Sequence, residues 1–146
     1  MRKTVVNSFR DLRVWCIGMD LVEQVYPLTQ SFPPHESYGL RSQMRRAAIS
    51  VPSNIAEGHA REHLGEYLHH LSIVQGSLAE LETQVEIAGR LGYLSREQVE
   101  RAVSRVAILA KQVRALRGSL AERARRAPQH PAPITQHPTP QYEVLP

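Results

Sequence analysis

The chain has 146 residues, which suits one domain with one core, and carries a modest formal net charge of +4. Aromatic residues are only 5 %, and the 42 % hydrophobic content is mostly Leu, Val, Ala and Ile, which favours helices over a β-sandwich. The single cysteine, Cys16, excludes a disulfide framework and a cysteine zinc site, and no apolar run approaches the roughly 18–20 residues that cross a bilayer.

Residues 11–30 place Leu12, Trp15, Met19, Val22 and Tyr26 at alternating three- and four-residue steps, which predicts a helix with that stripe inward and Asp11 at its N-terminus. Pro27 should kink or shorten its last turn, and Ser31-Phe32-Pro33-Pro34 reads as a connector. A second periodic stretch, 36–57, carries Leu40, Met44, Ala47, Val51 and Ile55 on one face. Pro52 interrupts it and frees the carbonyl of Ala48. Ser50, Ser53 and Asn54 stand ready to satisfy the break, and Gly58 fits a left-handed C-terminal cap.

The third helix is expected over 63–91, with Leu64, Leu68, Leu71, Gln75, Leu78, Glu82, Val85 and Ala88 along the seam. Val74 and Leu81 widen that seam, and Gly92 ends the helix. The fourth, within 95–126, has an unbroken heptad series, Val99, Ala102, Val106, Leu109, Val113, Leu116 and Leu120, opened by a Ser95/Gln98 capping box. Long amphipathic helices with short connectors imply an all-α, up-down antiparallel four-helix bundle over residues 11–126. Residues 1–10 are then an N-terminal extension. Residues 127–146, which hold six of the ten prolines, form a disordered or polyproline-like tail with a more apolar ending, Tyr142-Glu143-Val144-Leu145-Pro146.

Charge is strongly segregated. Residues 62–92 hold five Glu against one Arg, whereas residues 95–126 hold nine Lys or Arg against three Glu. The basic excess of the fourth helix either pairs with the acidic third helix or offers a phosphate-binding surface. Arginine supplies eight of those nine positions, which suits bidentate phosphate contact. Without an aromatic stacking platform, binding would be led by the backbone and sensitive to salt.

Motifs for chemistry are weak. Glu66-Tyr67-Leu68-His69 has the Glu-x-x-His spacing of di-iron bundles, but the fourth helix has no His and the first offers only Glu23. His59, His63, His69 and His70 read as surface histidines rather than a metal clamp. Glu80, Glu82 and Glu86 lack a nucleophile or phosphate loop, and Cys16 reads as a packing residue beside Trp15. No enzyme activity, metal or cofactor is expected, and neither is a secretion signal, because no apolar stretch follows Met1-Arg2-Lys3-Thr4.

Three strings go further: Phe9-Arg10-Asp11-Leu12-Arg13-Val14-Trp15, then Phe32 to Leu40 (FPPHESYGL), and above all Gln43 to Gly58 (QMRRAAISVPSNIAEG). With Gly76 to Gln84 (GSLAELETQ) and Leu91-Gly92-Tyr93-Leu94, they resemble the four-helix bundle family first met as reading frames in intervening sequences of bacterial 23S ribosomal RNA genes. That family is similar to the accessory variability determinant (Avd) proteins of diversity-generating retroelements. The resemblance covers roughly residues 8–120 and implies a non-enzymatic homopentameric barrel, while the lone cysteine and the missing secretion signal lead us to expect a cytoplasmic protein. In the retroelement members the barrel binds nucleic acid and works with a reverse transcriptase on a template RNA.

On the resemblance, Arg41, Arg45 and Arg46 match basic family positions. Together with Arg61, Arg101, Arg105, Lys111, Arg114 and Arg117 they form the expected nucleic-acid contacts. Ser50, Pro52, Ser53, Asn54, Glu57 and Gly58 match the family string but read physically as structural residues around the proline break. Pro27, the His63-Leu64-Gly65 start of the third helix and the Pro-rich tail depart from the family pattern.

Overall fold

The computed structural model of the protein describes residues 6–127. Four helices account for most of them: α1 (Arg13–Gln30), α2 (Leu40–Ala60), α3 (Leu64–Arg90) and α4 (Arg96–Arg126). No strand occurs among the described residues. Each helix packs on its sequence neighbours, most extensively α2 on α3, while α1 meets α4 over a much smaller area and closes the ring. The all-α, four-helix architecture is therefore as the hydrophobic periodicity predicts. The Pro-rich tail, residues 128–146, lies outside the described residues.

The chain ends of the helices follow from local chemistry. The Oγ of Ser95 accepts the backbone N–H of Gln98 at 3.2 Å and the Gln98 side chain accepts that of Ser95 at 2.9 Å, which is the predicted capping box. At the end of α3, Gly92 takes φ 77°, the one positive φ among the described residues. Its N–H donates to Gly89 and that of Tyr93 to Ala88, so the last carbonyls of α3 are satisfied. A short 3-10 turn, Phe9–Asp11, precedes α1. Asp11 caps that turn by accepting the N–H groups of Asn7 and Ser8, both at 3.1 Å, and does not itself begin α1. Likewise α2 begins at Leu40, four residues later than expected. A carboxylate oxygen of Glu36 accepts the Leu40 N–H at 2.7 Å and caps it.

The core is a continuous apolar column. Met44, Val51, Ile55, Leu71, Leu78, Leu81, Leu109 and Val113 all lie within it with almost no exposure. The seams predicted for α2 and α4 are the buried ones, and in α3 Val74 and Leu81 bury more deeply than Gln75 and Glu82. In α1 the expected face is wrong in phase. Val14, Gly18, Leu21, Val25 and Thr29 are buried, whereas Met19 and Tyr26 are about two-fifths exposed. Gly18 explains the rotation. A Cβ there would lie 3.3 Å from Val51 and 3.5 Å from Pro52, so the bare backbone lets α1 approach α2 closely. The competing stripe keeps Leu12 and Trp15 half-buried, Trp15 with Phe9 against it at a ring separation of 5.3 Å.

Gly58 is not a C-cap. The helix continues to Ala60, and a Cβ at Gly58 would stand 2.8 Å from both His70 Cβ and Tyr67 Cδ2 on α3. The glycine is required by the close approach of α2 to α3. Gly58→Ala is expected to destabilise the protein by about 1–3 kcal/mol, read as a lower denaturant midpoint, because a well-packed contact must open.

The proline break is satisfied differently from the expectation. Pro52 is buried inside α2, yet Asn54 donates to the carbonyl of Ser50 at 2.8 Å rather than to the freed carbonyl of Ala48. Ser53 is exposed and makes no side-chain hydrogen bond among the described residues. Asn54 also donates to Ser50 Oγ at 3.0 Å, and that hydroxyl meets Ser77 Oγ at 2.8 Å. His70 Nδ1 lies 3.1 Å from Asn54 Oδ1, so the string around Pro52 serves as a polar clasp between α2 and α3.

Candidate nucleic-acid interface

The nine expected contacts do not converge on one face. Arg41 reaches back across α2 to the end of α1, donating to the carbonyls of Thr29 (3.1 Å), Gln30 (3.3 Å) and Phe32 (2.8 Å). Arg45 donates to Thr29 Oγ1 (2.9 Å), the Tyr26 carbonyl (3.3 Å) and Gln30 Oε1 (3.2 Å), with its guanidinium 4.3 Å over the Tyr26 ring. These two half-buried arginines close the C-terminus of α1, where a positive charge is favoured by the helix dipole. In the folded chain their donors already serve the protein's own carbonyls.

Arg117 is also engaged internally, donating to the Leu68 carbonyl of α3 at 3.3 Å. Arg61 pairs with Glu57 one turn earlier at 2.6 Å, an exposed contact. Arg46 stands apart from all of these, on the rim of a polar cleft between α2 and α3 with Ser50, Ser77 and Glu80.

Of the expected contacts on α4, Arg101, Arg105, Lys111 and Arg114 are exposed. At about 100° per residue, Arg101 and Arg105 lie on the flank towards α1, while Arg114 sits about half a turn round on the flank towards α3. Lys111 faces away from the core. Three of the helix's nine basic groups pair within it: Arg96 with Glu100, and Arg125 and Arg126 with Glu122. Among the described residues no ion pair joins α3 to α4, so Arg101, Arg105, Lys111, Arg114, Arg117 and Arg123 have no carboxylate partner.

Arg101 and Arg105 have the most structured surroundings. They border a groove of about 400 Å³ where α1 and α4 meet least, floored by Leu21, Val25, Leu28 and Ala102. This groove lies towards the bundle end that carries Tyr38, a ring 98 % exposed in the turn before α2. Sequence reading passed over Tyr38 because isolated aromatics carry no periodic signal. Its position between Ser37 and Gly39, in a turn rather than on a helix, is the available clue. An exposed tyrosine is the type of side chain on which an unpaired base stacks.

Nearby, Tyr93 OH donates to Glu36 at 3.3 Å and lies 3.3 Å from His35 Nε2. Burial pushes the Tyr93 phenol above its ordinary value, and the Glu36 charge and hydrogen bond push the same way. Tyr67 is raised by burial, and its hydroxyl has no hydrogen-bond partner among the described residues. A raised folded-state value means that these phenols leave stability unchanged while neutral, below pH about 10, and that stability falls as pH rises beyond it, because ionising them costs more in the folded chain than in the unfolded one. Tyr67→Phe is expected to raise stability by about 1 kcal/mol by removing an unpaired buried hydroxyl. With Tyr93→Phe added, the alkaline fall in Tm seen by calorimetry should flatten.

No group of three or more His, Cys, Asp or Glu side chains converges as a metal set among the described residues. Glu66 and His69 are both exposed. No described helix is long and apolar enough to cross a membrane.

The sequence profile of the 23S rRNA-intervening sequence protein family matches residues 10–115, most of the bundle. The chain belongs to that family. A similar solved structure is a protein of unknown function from the S23 ribosomal protein family of Bacteroides thetaiotaomicron, with a TM-score of 0.66 and 19 % identity. The match covers 70 % of this chain and 96 % of that one, and at this identity it speaks for a shared fold. No curated protein matches the chain. Tyr38, Arg101 and Arg105 fall inside the family match, and the Pro-rich tail falls outside it.

Proposed function

We propose that this member of the intervening-sequence family is a non-enzymatic nucleic-acid-binding accessory protein that works as a cytoplasmic homo-oligomer, a pentamer by family resemblance. The observation that carries the reading is the set of α4 cations left without carboxylate partners among the described residues, with Arg101 and Arg105 beside an open groove. Unpaired arginines on a rigid helix bind phosphate with little reorganisation. In a retroelement setting the ligand is template RNA and the partner a reverse transcriptase. In a ribosomal RNA operon the ligand is the transcript that carries the intervening sequence.

A filter-binding titration against RNA and DNA at several salt concentrations tests this. Affinity that falls steeply with salt is expected, and no binding at low ionic strength would sink the idea.

A second reading is a protein-interaction scaffold. Glu66, Glu82 and Glu86 on α3 also lack basic partners among the described residues, which favours pairing between copies, α3 of one against α4 of the next. Light scattering separates the two: the scaffold dissociates in high salt, whereas an oligomer held by apolar packing keeps its mass.

A further inference from the structure

We propose that the chain's own segment Tyr142–Leu145 docks in the groove between α1 and α4 and there covers Arg101 and Arg105. Its regulatory consequence, competition with nucleic acid, rests on the reading of those arginines given above.

The groove is not shaped for phosphate alone. Its floor is apolar, built from Leu21, Val25 and Leu28 of α1 and Ala102 of α4, and its α4 rim is cationic. The Gln98 Oε1 is held by the Ser95 N–H, so the amide N–H₂ is the end left to donate to an occupant. Glu23 stands on the α1 side and forms no ion pair with either arginine. An occupant that satisfies floor and rim together needs apolar side chains next to a carboxylate, and no basic group.

Residues 128–146 contain no Lys or Arg, and their one acid, Glu143, sits between Tyr142 and Val144. In an extended backbone Tyr142 and Val144 project to one side and Glu143 to the other. That places two apolar groups towards the floor and the carboxylate towards the arginines.

The reach is sufficient. From Arg126 back to Arg105 and Arg101 along α4 is about 32 and 38 Å at the α-helical rise. The fifteen residues 127–141 span up to about 46 Å in a polyproline-like form. Prolines in that span also limit the entropy lost on docking.

The test uses the full chain with Tyr142 replaced by photoreactive benzoylphenylalanine. Irradiation followed by mass spectrometry is expected to map crosslinks to residues 21–28 and 98–105 of the same chain. Crosslinks that join two chains overturn the placement within one chain, and crosslinks elsewhere or absent overturn the docking. Glu143→Arg should lower the crosslink yield and raise RNA affinity about two- to fivefold, the range for a single exposed charge pair. A lowered yield with unchanged RNA affinity overturns the competition. The crosslink reads docking even if the chain binds no RNA, so failure of the two readings is distinguishable.

Discussion

Arg41→Ala is expected to lower the stability of the bundle by about 3 kcal/mol, read as a reduced denaturant midpoint with an unchanged slope. The guanidinium donates to three carbonyls at the end of α1, those of Thr29, Gln30 and Phe32. Two of those oxygens belong to residues that are themselves buried, Thr29 and Phe32. Removing the donor leaves acceptors that water reaches poorly, and that penalty exceeds the net worth of an ordinary hydrogen bond. Arg41→Lys should recover little, because an ammonium cannot span three acceptors as a planar fork does. Any loss of RNA binding in these variants should therefore track unfolding and disappear under conditions that keep the variant folded.

The opposite pattern is expected at the α1–α4 groove. Arg101→Gln with Arg105→Gln should lower RNA affinity about tenfold or more while leaving Tm within about 1 °C. Both side chains are exposed and form no ion pair among the described residues, so the fold loses little with them. Thermal melts and binding curves on the same preparations separate a residue that holds the bundle from one that contacts ligand.

Helix α4 was fully legible in the sequence because its apolar residues follow one heptad series and its capping box is local. Helix α1 was not. Its large apolar residues, Leu12, Trp15, Met19, Val22 and Tyr26, form a cleaner stripe than the true core face, which uses Gly18 and Thr29. Hydropathy does not count a glycine whose value is the space it leaves. The same holds for Gly58, where the sequence suggests a helix end and the fold needs a close helix contact.

The arginines show the corresponding limit for function. Residue type and family position single out Arg41 and Arg45 as readily as Arg101 and Arg105, but only the first two have acceptors on α1, 11 to 19 residues away in sequence. Partners at that separation have no local signature. The charge totals make α4 the basic element, and the structure narrows it to the side chains with no carboxylate partner among the described residues.

The most direct measurement is the slope of log affinity for single-stranded RNA against log salt, for the natural chain and for the Arg101→Gln/Arg105→Gln variant side by side. Each arginine that neutralises a phosphate of a single strand contributes about 0.7 to that slope. The account predicts a steep negative slope for the natural chain and one shallower by about 1.4 for the variant, two arginines at about 0.7 each. Equal slopes, or no RNA binding by the natural chain at low salt, would contradict it.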